Sequence, residues 1–271
     1  MNIKQRLIGS WLGDTLSRFR DIYNLIYCVF KEPEFVGALA NDQIALQLTT
    51  KICQPGHTFI DVGAHIGSVT SDVLKFIPNV RVEAIEAMPD KISNLVKNFP
   101  SVNFHACAVG ERECEATFFI NTVASGYSSL NKIYGANGAI KEIKVPVKLL
   151  DSLVQCSKVD VIKIDVEGAE LGVLRGSINI LNNCRPLVMF ESCSTETNAL
   201  GYSPQGMWEF LNSTSYMIVI PTRLAHIDNG LTKEGFVESN LHPRRTTNYF
   251  AVPFERRAEF RNSARRILGL D

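Results

Sequence analysis

An aspartate followed by two glycines is the first group of residues that could bind a charged ligand. Asp61 ends a short apolar run, and Gly63 and Gly67 follow it in a turn that opens an apparent helix. Strand, glycine turn and helix in this order hold nucleotide-like ligands at the carboxyl ends of parallel strands. A dinucleotide site needs Gly-x-Gly-x-x-Gly, whereas His65 occupies the middle position here. We therefore expect a ligand with an ammonium group and no phosphate, such as S-adenosylmethionine, although the segment alone would more often be an ordinary turn.

A second acidic residue stands at the distance where such sites bind a ribose. The run from residue 80 to 86 predicts a strand that ends at Glu86, 19 residues after Gly67. An acidic side chain about 20 residues beyond the glycine turn can accept hydrogen bonds from ribose hydroxyls. A solvated strand end is the alternative, and the spacing favours the ribose role.

A third strand end brings two more carboxylates to the same edge of the predicted sheet. A run rich in β-branched residues ends at Asp165, and Glu167 follows just before a helix that starts near Gly168. Ligands bind at this edge of open α/β sheets, so we expect Asp165 to face the ligand. Helix capping and compensation of the helix dipole are the alternative roles of Glu167 and Glu170, and we favour them for Glu170.

Together these segments resemble the FkbM-type methyltransferase family, a branch of the class I S-adenosylmethionine-dependent methyltransferases. The similarity covers about residues 40 to 253, and the run from Lys163 to Glu170 is its most specific part. The family usually has asparagine where this chain has His65, and Glu-Pro-x-Pro where it has Glu86-Ala-Met-Pro89. Neither change removes a glycine or an acidic residue. The cofactor assignment therefore stands, while the role of the His65 side chain is open.

The alternation of strands and helices predicts a doubly wound α/β fold. Alternating runs over residues 117–121 and 142–148 predict a β pair beside the main sheet. The serine-rich segment around Ser125 is typical of a surface loop, and the resemblance implies a flap near the cofactor or acceptor. The resemblance implies a mostly parallel, seven-stranded, Rossmann-like sheet whose last two strands pair antiparallel. It also implies methylation of a hydroxyl oxygen on a sugar, a glycan or a secondary metabolite. The cofactor contacts expected on this basis are Asp61, Gly63, Ala64, His65, Gly67, Ser68, Glu86, Ala87, Ala108 and Asp165.

Methyl transfer to a hydroxyl needs an acceptor oxygen in line with the carbon–sulfur bond and a group that takes its proton. Asp165 and Glu191 end the fourth and fifth predicted strands, so both reach the same rim and are candidate catalytic residues. In metal-dependent O-methyltransferases of this fold, carboxylates at these strand ends hold Mg²⁺, which prefers oxygen ligands. A solvated strand end explains Glu191 equally well. His226 and His242 are candidate bases because imidazole titrates near neutral pH, and we favour His226.

The rest of the chain predicts three parts. Residues 1–40 form an N-terminal helical extension, residues 41–253 form the methyltransferase domain, and residues 254–271 form a basic helix. Apolar residues recur at helical spacing in the extension. We expect them to pack on the domain or on a second copy in a homo-oligomer, with a membrane-surface helix as the minor alternative. Arg244 and Arg245 could bind an anionic acceptor or be solvated.

Composition restricts the class of protein. Lys plus Arg and Asp plus Glu number 28 each, so no overall charge favours nucleic acid. The 7 cysteines are scattered, which is typical of reduced thiols in a cytoplasmic protein. We see no apolar run long enough for a membrane span and no signal peptide. Three alternatives stay open: an NAD-dependent oxidoreductase, disfavoured by the glycine spacing, an RNA methyltransferase, and a non-catalytic module that keeps the fold.

Overall fold

The computed structural model describes residues 11–123, 125–130, 140–155, 158–192 and 200–270. Ten strands form in this part of the chain, and most are short and buried. They are β1 Thr58–Val62, β2 Arg81–Ile85, β3 Asn103–His105, β4 Ala108–Val109, β5 Cys114–Asn121, β6 Ile140–Lys148, β7 Val161–Ile164, β8 Leu187–Glu191, β9 Tyr216–Val219 and β10 Asn248–Pro253.

The α-helices of the described residues separate most of these strands. They are α1 Trp11–Lys31, α2 Val36–Lys51, α3 Ser68–Phe76, α4 Pro89–Asn98, α5 Leu150–Leu153, α6 Glu170–Arg175, α7 Ile178–Cys184, α8 Pro204–Ser213, α9 Lys233–Ser239 and α10 Arg257–Leu268. Helix α2 begins at Val36 and therefore crosses the boundary expected after residue 40. The division of the chain into three parts stays a prediction.

Seven strands form the main sheet in the order β3-β2-β1-β7-β8-β10-β9. Strands β1, β2, β3, β7 and β8 run parallel, and β10 is antiparallel to both of its neighbours. The doubly wound, mostly parallel seven-stranded sheet predicted from the sequence is confirmed, including the antiparallel final pairing. The carboxyl ends of β1, β2, β7 and β8 consequently meet at one rim, where Asp61, Glu86, Asp165 and Glu191 stand.

A smaller sheet lies beside this rim. Strands β5 and β6 pair antiparallel along their length, and β4 pairs with β6. The β pair that the sequence predicted over residues 117–121 and 142–148 is therefore confirmed. The turn Ser125–Tyr127 follows β5 directly.

Two apolar clusters cover the faces of the main sheet because successive side chains of a strand point to opposite faces. Ile162 and Phe190 belong to the cluster under α6, α7 and α8, whereas Val161 and Met189 belong to the cluster under α2 and α3. By the same alternation Asp165 and Glu191 lie on the α2 face of the sheet.

Helix α1 exposes large apolar side chains. They are Phe19, Ile22, Tyr23, Leu25, Ile26, Tyr27, Val29 and Phe30. Packing on the domain of the same chain was one of the two expected arrangements, and it does not cover these side chains. No helix in the described ranges is both long and apolar enough to cross a membrane.

Candidate functional site

A cleft of about 180 Å³, partly open to solvent, lies at the carboxyl rim of the sheet. Six of the residues predicted to contact the cofactor line it: Gly63, His65, Glu86, Ala87, Ala108 and Asp165. The other four, Asp61, Ala64, Gly67 and Ser68, are not among the lining residues, and their contact with the cofactor stays a prediction.

Gly63 brings the loops after β1 and β7 together. Its φ is +80°, and a β-carbon there would overlap the backbone carbonyl of Asp165. The N–H groups of Gly63 and Ala64 both donate to the carbonyl oxygen of Ile85, at 3.0 Å each. Glycine is therefore required for the backbone approach that forms the floor of the cleft.

Glu86 is buried at the end of β2, and both its carboxylate oxygens accept backbone hydrogen bonds. Oε2 accepts from the N–H of His65 at 2.7 Å and Oε1 from that of Met88 at 2.8 Å. Burial raises the pKa of Glu86, and these two hydrogen bonds oppose that effect. A carboxylate offers about four acceptor positions, so two remain for ribose hydroxyls. Its place in the lining of the cleft agrees with the ribose role predicted for it.

His65, Lys91 and Ser125 form a polar cluster at the edge of the cleft. Nε2 of His65 lies 3.0 Å from Oγ of Ser125 and 3.2 Å from Nζ of Lys91. Nζ of Lys91 also donates to Oγ of Ser125 at 3.1 Å. Burial, and then the charge of Lys91, lower the pKa of His65 to about 4. The imidazole is therefore neutral at pH 7 and ties the Ser125–Tyr127 turn to the glycine turn.

The sequence had singled out the serine-rich segment around Ser125 as a flap near the cofactor or acceptor. Ser125, Gly126 and Ser128 do line the cleft, so that segment is part of the site. The sequence analysis did not identify Lys91, because it is one of two lysines on helix α4 and no motif distinguishes it.

Asp61 is fully buried and binds protein groups. Its Oδ2 accepts from the hydroxyl of Thr70 at 2.7 Å, and its Oδ1 lies 3.2 Å from Nζ of Lys163. Nζ of Lys163 also donates to the carbonyl of Gly63 at 2.7 Å and lies 3.6 Å from Oδ2 of Asp165. Burial lowers the pKa of Lys163, but the carboxylates of Asp61 and Asp165 more than offset that effect and raise it. In this arrangement Asp61 positions Lys163 and the glycine turn.

The three carboxylates of Asp165, Glu167 and Glu191 form what we call the acidic cluster. One oxygen of each lies within 4.8 Å of those of the other two. The cluster confirms that Asp165 and Glu191 meet at the rim, as the strand ends predicted. Glu167 joins them because its φ of +56° turns the chain just after β7, whereas the sequence had left helix capping open for it.

Burial and nearby negative charge raise the pKa values of Glu167 and Glu191. Burial, then the charge of Asp165, raise the pKa of Glu191 to about 10, and burial raises that of Glu167 to about 7. Oε1 of Glu170 accepts from the N–H groups of Val166 and Gly168, each at 3.1 Å. These hydrogen bonds hold the loop before α6, which agrees with the structural role that the sequence favoured for Glu170. Since Lys163 can neutralise only one carboxylate, the acidic cluster must hold a proton or bind a cation.

The candidate bases His226 and His242 lie outside this site. The His226 side chain is exposed, and the residue follows β9 at the edge of the sheet, with β10 between β9 and β8. It is not among the residues that line the cleft. The ring of His242 packs against Phe35 with 5.2 Å between centroids. The structure therefore does not bring either imidazole to the acidic cluster, and the catalytic role of His226 stays a prediction.

Comparisons with solved structures return methyltransferases at low similarity. An FkbM methyltransferase from Methylobacillus flagellatus matches with a TM-score of 0.46 and 15% identity over 74% of this chain and 44% of its own. A precorrin-6y C5,15-methyltransferase from Geobacter metallireducens matches with a TM-score of 0.37 and 16% identity over 65% of this chain and 71% of its own. An S-adenosylmethionine-dependent methyltransferase from Aquifex aeolicus matches with a TM-score of 0.37 and 15% identity over 70% of this chain and 86% of its own. This chain thus spans less than half of the Methylobacillus protein, and a search among curated proteins finds no match.

The chain also matches a protein family. Residues 61–218, more than half of the chain, match the methyltransferase FkbM domain. That range begins at Asp61 and includes the glycine turn, Glu86 and the acidic cluster. The chain therefore belongs to the FkbM methyltransferase domain family.

Proposed function

We propose that the chain transfers the methyl group of S-adenosylmethionine to a hydroxyl oxygen of a sugar, a glycan or a secondary metabolite. The observation that carries this proposal is the acidic cluster beside the cofactor cleft. Asp165 and Glu167 belong to both the cleft and the cluster. A hydroxyl acceptor must lose its proton during transfer, and carboxylates at the reacting end of the cofactor can take it.

The proton affinities of the acidic cluster decide which carboxylate can act as the base. With its pKa raised to about 10, Glu191 is protonated at pH 7. Glu167, with a pKa of about 7, is partly ionised and is the better base in the absence of a cation. Protonated Glu191 would then donate a hydrogen bond, while Asp165 and Glu167 orient the hydroxyl.

The cluster also has the chemistry of a Mg²⁺ site. All its donors are carboxylate oxygens, which hard divalent cations prefer, and their spacing lets one ion contact all three residues. Asp165, Glu167 and Glu191 would hold the ion, which would lower the pKa of a bound hydroxyl. A bound cation would also displace the proton from Glu191, since it removes the repulsion that raises that pKa.

Transfer of a labelled methyl group tests this proposal. The enzyme is incubated with labelled S-adenosylmethionine and a panel of hydroxylated metabolites, oligosaccharides and RNA, with and without chelator. We expect labelled methyl ethers on a hydroxylated acceptor and no label in RNA. Loss of turnover on chelation, restored by Mg²⁺, would favour the metal; label only in RNA would contradict the proposal.

We also propose that helix α1 pairs with a second copy of the chain. Eight of its large apolar side chains are exposed, and exposed apolar surface of this kind marks sites of association. The charges of residues 19–31 are mixed, with Arg20, Asp21 and Lys31, which favours a protein surface over an anionic membrane. Light scattering should give a dimer or larger mass, and the pair Phe19→Ser and Phe30→Ser should give a monomer. A monomeric wild type at high concentration would contradict this.

A further inference from the structure

A second cleft, of about 350 Å³ and more open than the first, lies beyond the acidic cluster. It is bounded by the start of α2, by the chain just after β9 and by the segment before β10. Strand β10 is antiparallel to β8, so it begins where β8 ends, and Asn248 is opposite Glu191. The N–H of Ser192 donates to the carbonyl of Thr247 at 2.8 Å. The cleft therefore borders the same rim as the cofactor site.

The cleft and Glu191 also share one face of the sheet. Met189 packs in the apolar cluster under α2, so Glu191, two residues further along the strand, points to that face. Asn248, across from Glu191, donates from Nδ2 to Oδ1 of Asp42 in α2 at 3.1 Å. Successive Cα atoms lie about 3.8 Å apart, which places Arg245 within roughly 8 Å of Thr247. An elongated ligand could reach from this cleft to the acidic cluster.

The lining of this cleft carries an excess of positive charge. Arg223, Arg244 and Arg245 line it, and Glu34 is the carboxylate among its lining residues. Arg223 pairs with Asp228 at 2.9 Å. Arg244 and Arg245 form no ion pair within the ranges that the structure describes. The cleft thus has two guanidinium groups available for an anion.

Arg244 points more directly to a ligand. Its Nε is buried and has no hydrogen-bond partner among the described residues. A buried donor without an acceptor is unfavourable, the more so when its group is charged, so such an atom needs an explanation. An anion with two oxygens would match the fork of donors that a guanidinium presents.

The segment that carries these arginines is held in place. Oδ1 of Asp42 accepts from the hydroxyl of Thr246 at 2.7 Å and from the N–H of Thr247 at 3.0 Å. The carbonyl oxygen of Arg245 accepts from Nδ2 of Asn41 at 3.0 Å. The backbone N–H of Arg245 donates to the carbonyl oxygen of Ser239, also at 3.0 Å. A backbone fixed on both sides presents the guanidinium groups without a large ordering cost on binding.

We infer that this cleft binds an anionic group, a carboxylate, sulfate or phosphate, on the acceptor. The substrate class is then an acidic hydroxylated molecule, such as a saccharide with a charged substituent. This inference rests on the proposed function for the position of the methylated hydroxyl. The arginines of the cleft stand three and four residues before Asn248, which is opposite Glu191, so the anion would bind beside the acidic cluster and not within it.

Calorimetry with inorganic sulfate tests the cleft without any methyl transfer. We expect the wild type to bind sulfate and Arg244→Gln and Arg245→Gln to weaken binding about tenfold or more, the loss of one charge-assisted hydrogen bond. Arg245 is exposed, so its variant should fold even if Arg244→Gln does not. Arg112→Gln, an exposed arginine on the turn before β5, is the matched control and should bind sulfate normally. No binding by the wild type, or equal binding by Arg245→Gln, would overturn the inference.

Competition for turnover then links the cleft to the acceptor. Matched glycosides that differ only in a carboxylate, a glucuronide against a glucoside, are offered with labelled S-adenosylmethionine. We expect the wild type to prefer the glucuronide and Arg245→Gln to lose that preference. A preference for the glucoside would overturn the inference while leaving the proposed hydroxyl methylation intact, whereas label on neither would count against the proposed function.

Discussion

The β-carbon that Gly63 lacks would overlap the carbonyl oxygen of Asp165. The two residues end neighbouring parallel strands, β1 and β7, and their loops touch at the floor of the cofactor cleft. Any side chain at position 63 must therefore push Asp165 away, and with it one member of the acidic cluster. The floor of the cleft and the acidic cluster are thus joined through one backbone contact.

Gly63→Ala should abolish detectable cofactor binding because the added carbon displaces the loop that carries Asp165. Calorimetry with S-adenosylmethionine measures it, and circular dichroism checks that the domain stays folded. Gly56→Ala is a matched control: Gly56 has a similar φ of +82° but nothing within 4 Å of its added carbon. Gly56→Ala should lose about 1–2 kcal/mol of folding stability to the strain of a left-handed backbone, yet bind S-adenosylmethionine normally. Equal binding by both variants would show that the contact does not matter.

Glu86→Gln should weaken S-adenosylmethionine binding about 10- to 150-fold, by the loss of one charge-assisted hydrogen bond. An amide also cannot accept on both sides, so one of the N–H groups of His65 and Met88 would lose its acceptor. Titration calorimetry gives the affinity. Glu83→Gln is the control, because Glu83 is buried in the same strand but pairs with Arg81 and His105 instead of lining the cleft. The ribose role is wrong if both variants bind alike.

Lys91→Met should raise the pKa of His65 from about 4, because the charge of Lys91 helps to lower it. The pKa should stay below the ordinary value of 6.5, since burial, the larger cause, remains. NMR titration of the ring reports this shift directly. Lys97→Met, which removes an exposed lysine from the same helix, should leave the pKa of His65 unchanged. An unchanged value in Lys91→Met would contradict the geometry of the cluster.

Glu191 should make the protein less stable as pH rises. Its pKa is about 10 in the folded chain and near 4.5 in its ordinary state, so between these values the native protein binds more protons than the unfolded chain. Stability from this group is complete below pH 4.5 and is lost progressively up to about pH 10. Chemical denaturation of Glu191→Gln should therefore show a flatter pH dependence than that of the wild type.

The control for that experiment is Glu238→Gln, an exposed glutamate on α9, which should follow the wild-type curve. Mg²⁺ adds a second readout. If the acidic cluster binds it, Mg²⁺ should raise the melting temperature of the wild type at pH 8 and have little effect on Glu191→Gln. Parallel pH profiles for wild type and Glu191→Gln would mean that Glu191 is not held in a repulsive buried site.

The strand ends could be predicted from the sequence because their signals are local. A buried apolar run, a glycine turn and a carboxylate at a fixed spacing predicted Glu86, Asp165 and Glu191 at one rim, and the parallel sheet brings them there. The pairing of β5 with β6 could also be predicted, because the alternation of apolar and polar residues over 117–121 and 142–148 is a local signal.

Tertiary contacts could not be predicted in this way. The sequence does not indicate that Lys163, a charge within a buried strand, lies beside Asp61, because register between strands about a hundred residues apart decides it. Asp61 was expected at the mouth of the ligand loop, yet Thr70 and Lys163 hold it in the interior. The pairing of Lys91 with Ser125 joins two segments that share no pattern.

The most direct test of the account measures methyl transfer by an enzyme that lacks the Asp165 carboxylate. Asp165→Asn should keep the cofactor affinity within a few-fold and lose about 10²-fold or more in kcat on an identified hydroxyl acceptor, because in the proposed mechanism Asp165 orients that hydroxyl. That result would place Asp165 at the reacting end of the site. A folded Asp165→Ala enzyme that transfers labelled methyl to the same acceptor at the wild-type rate would contradict the account.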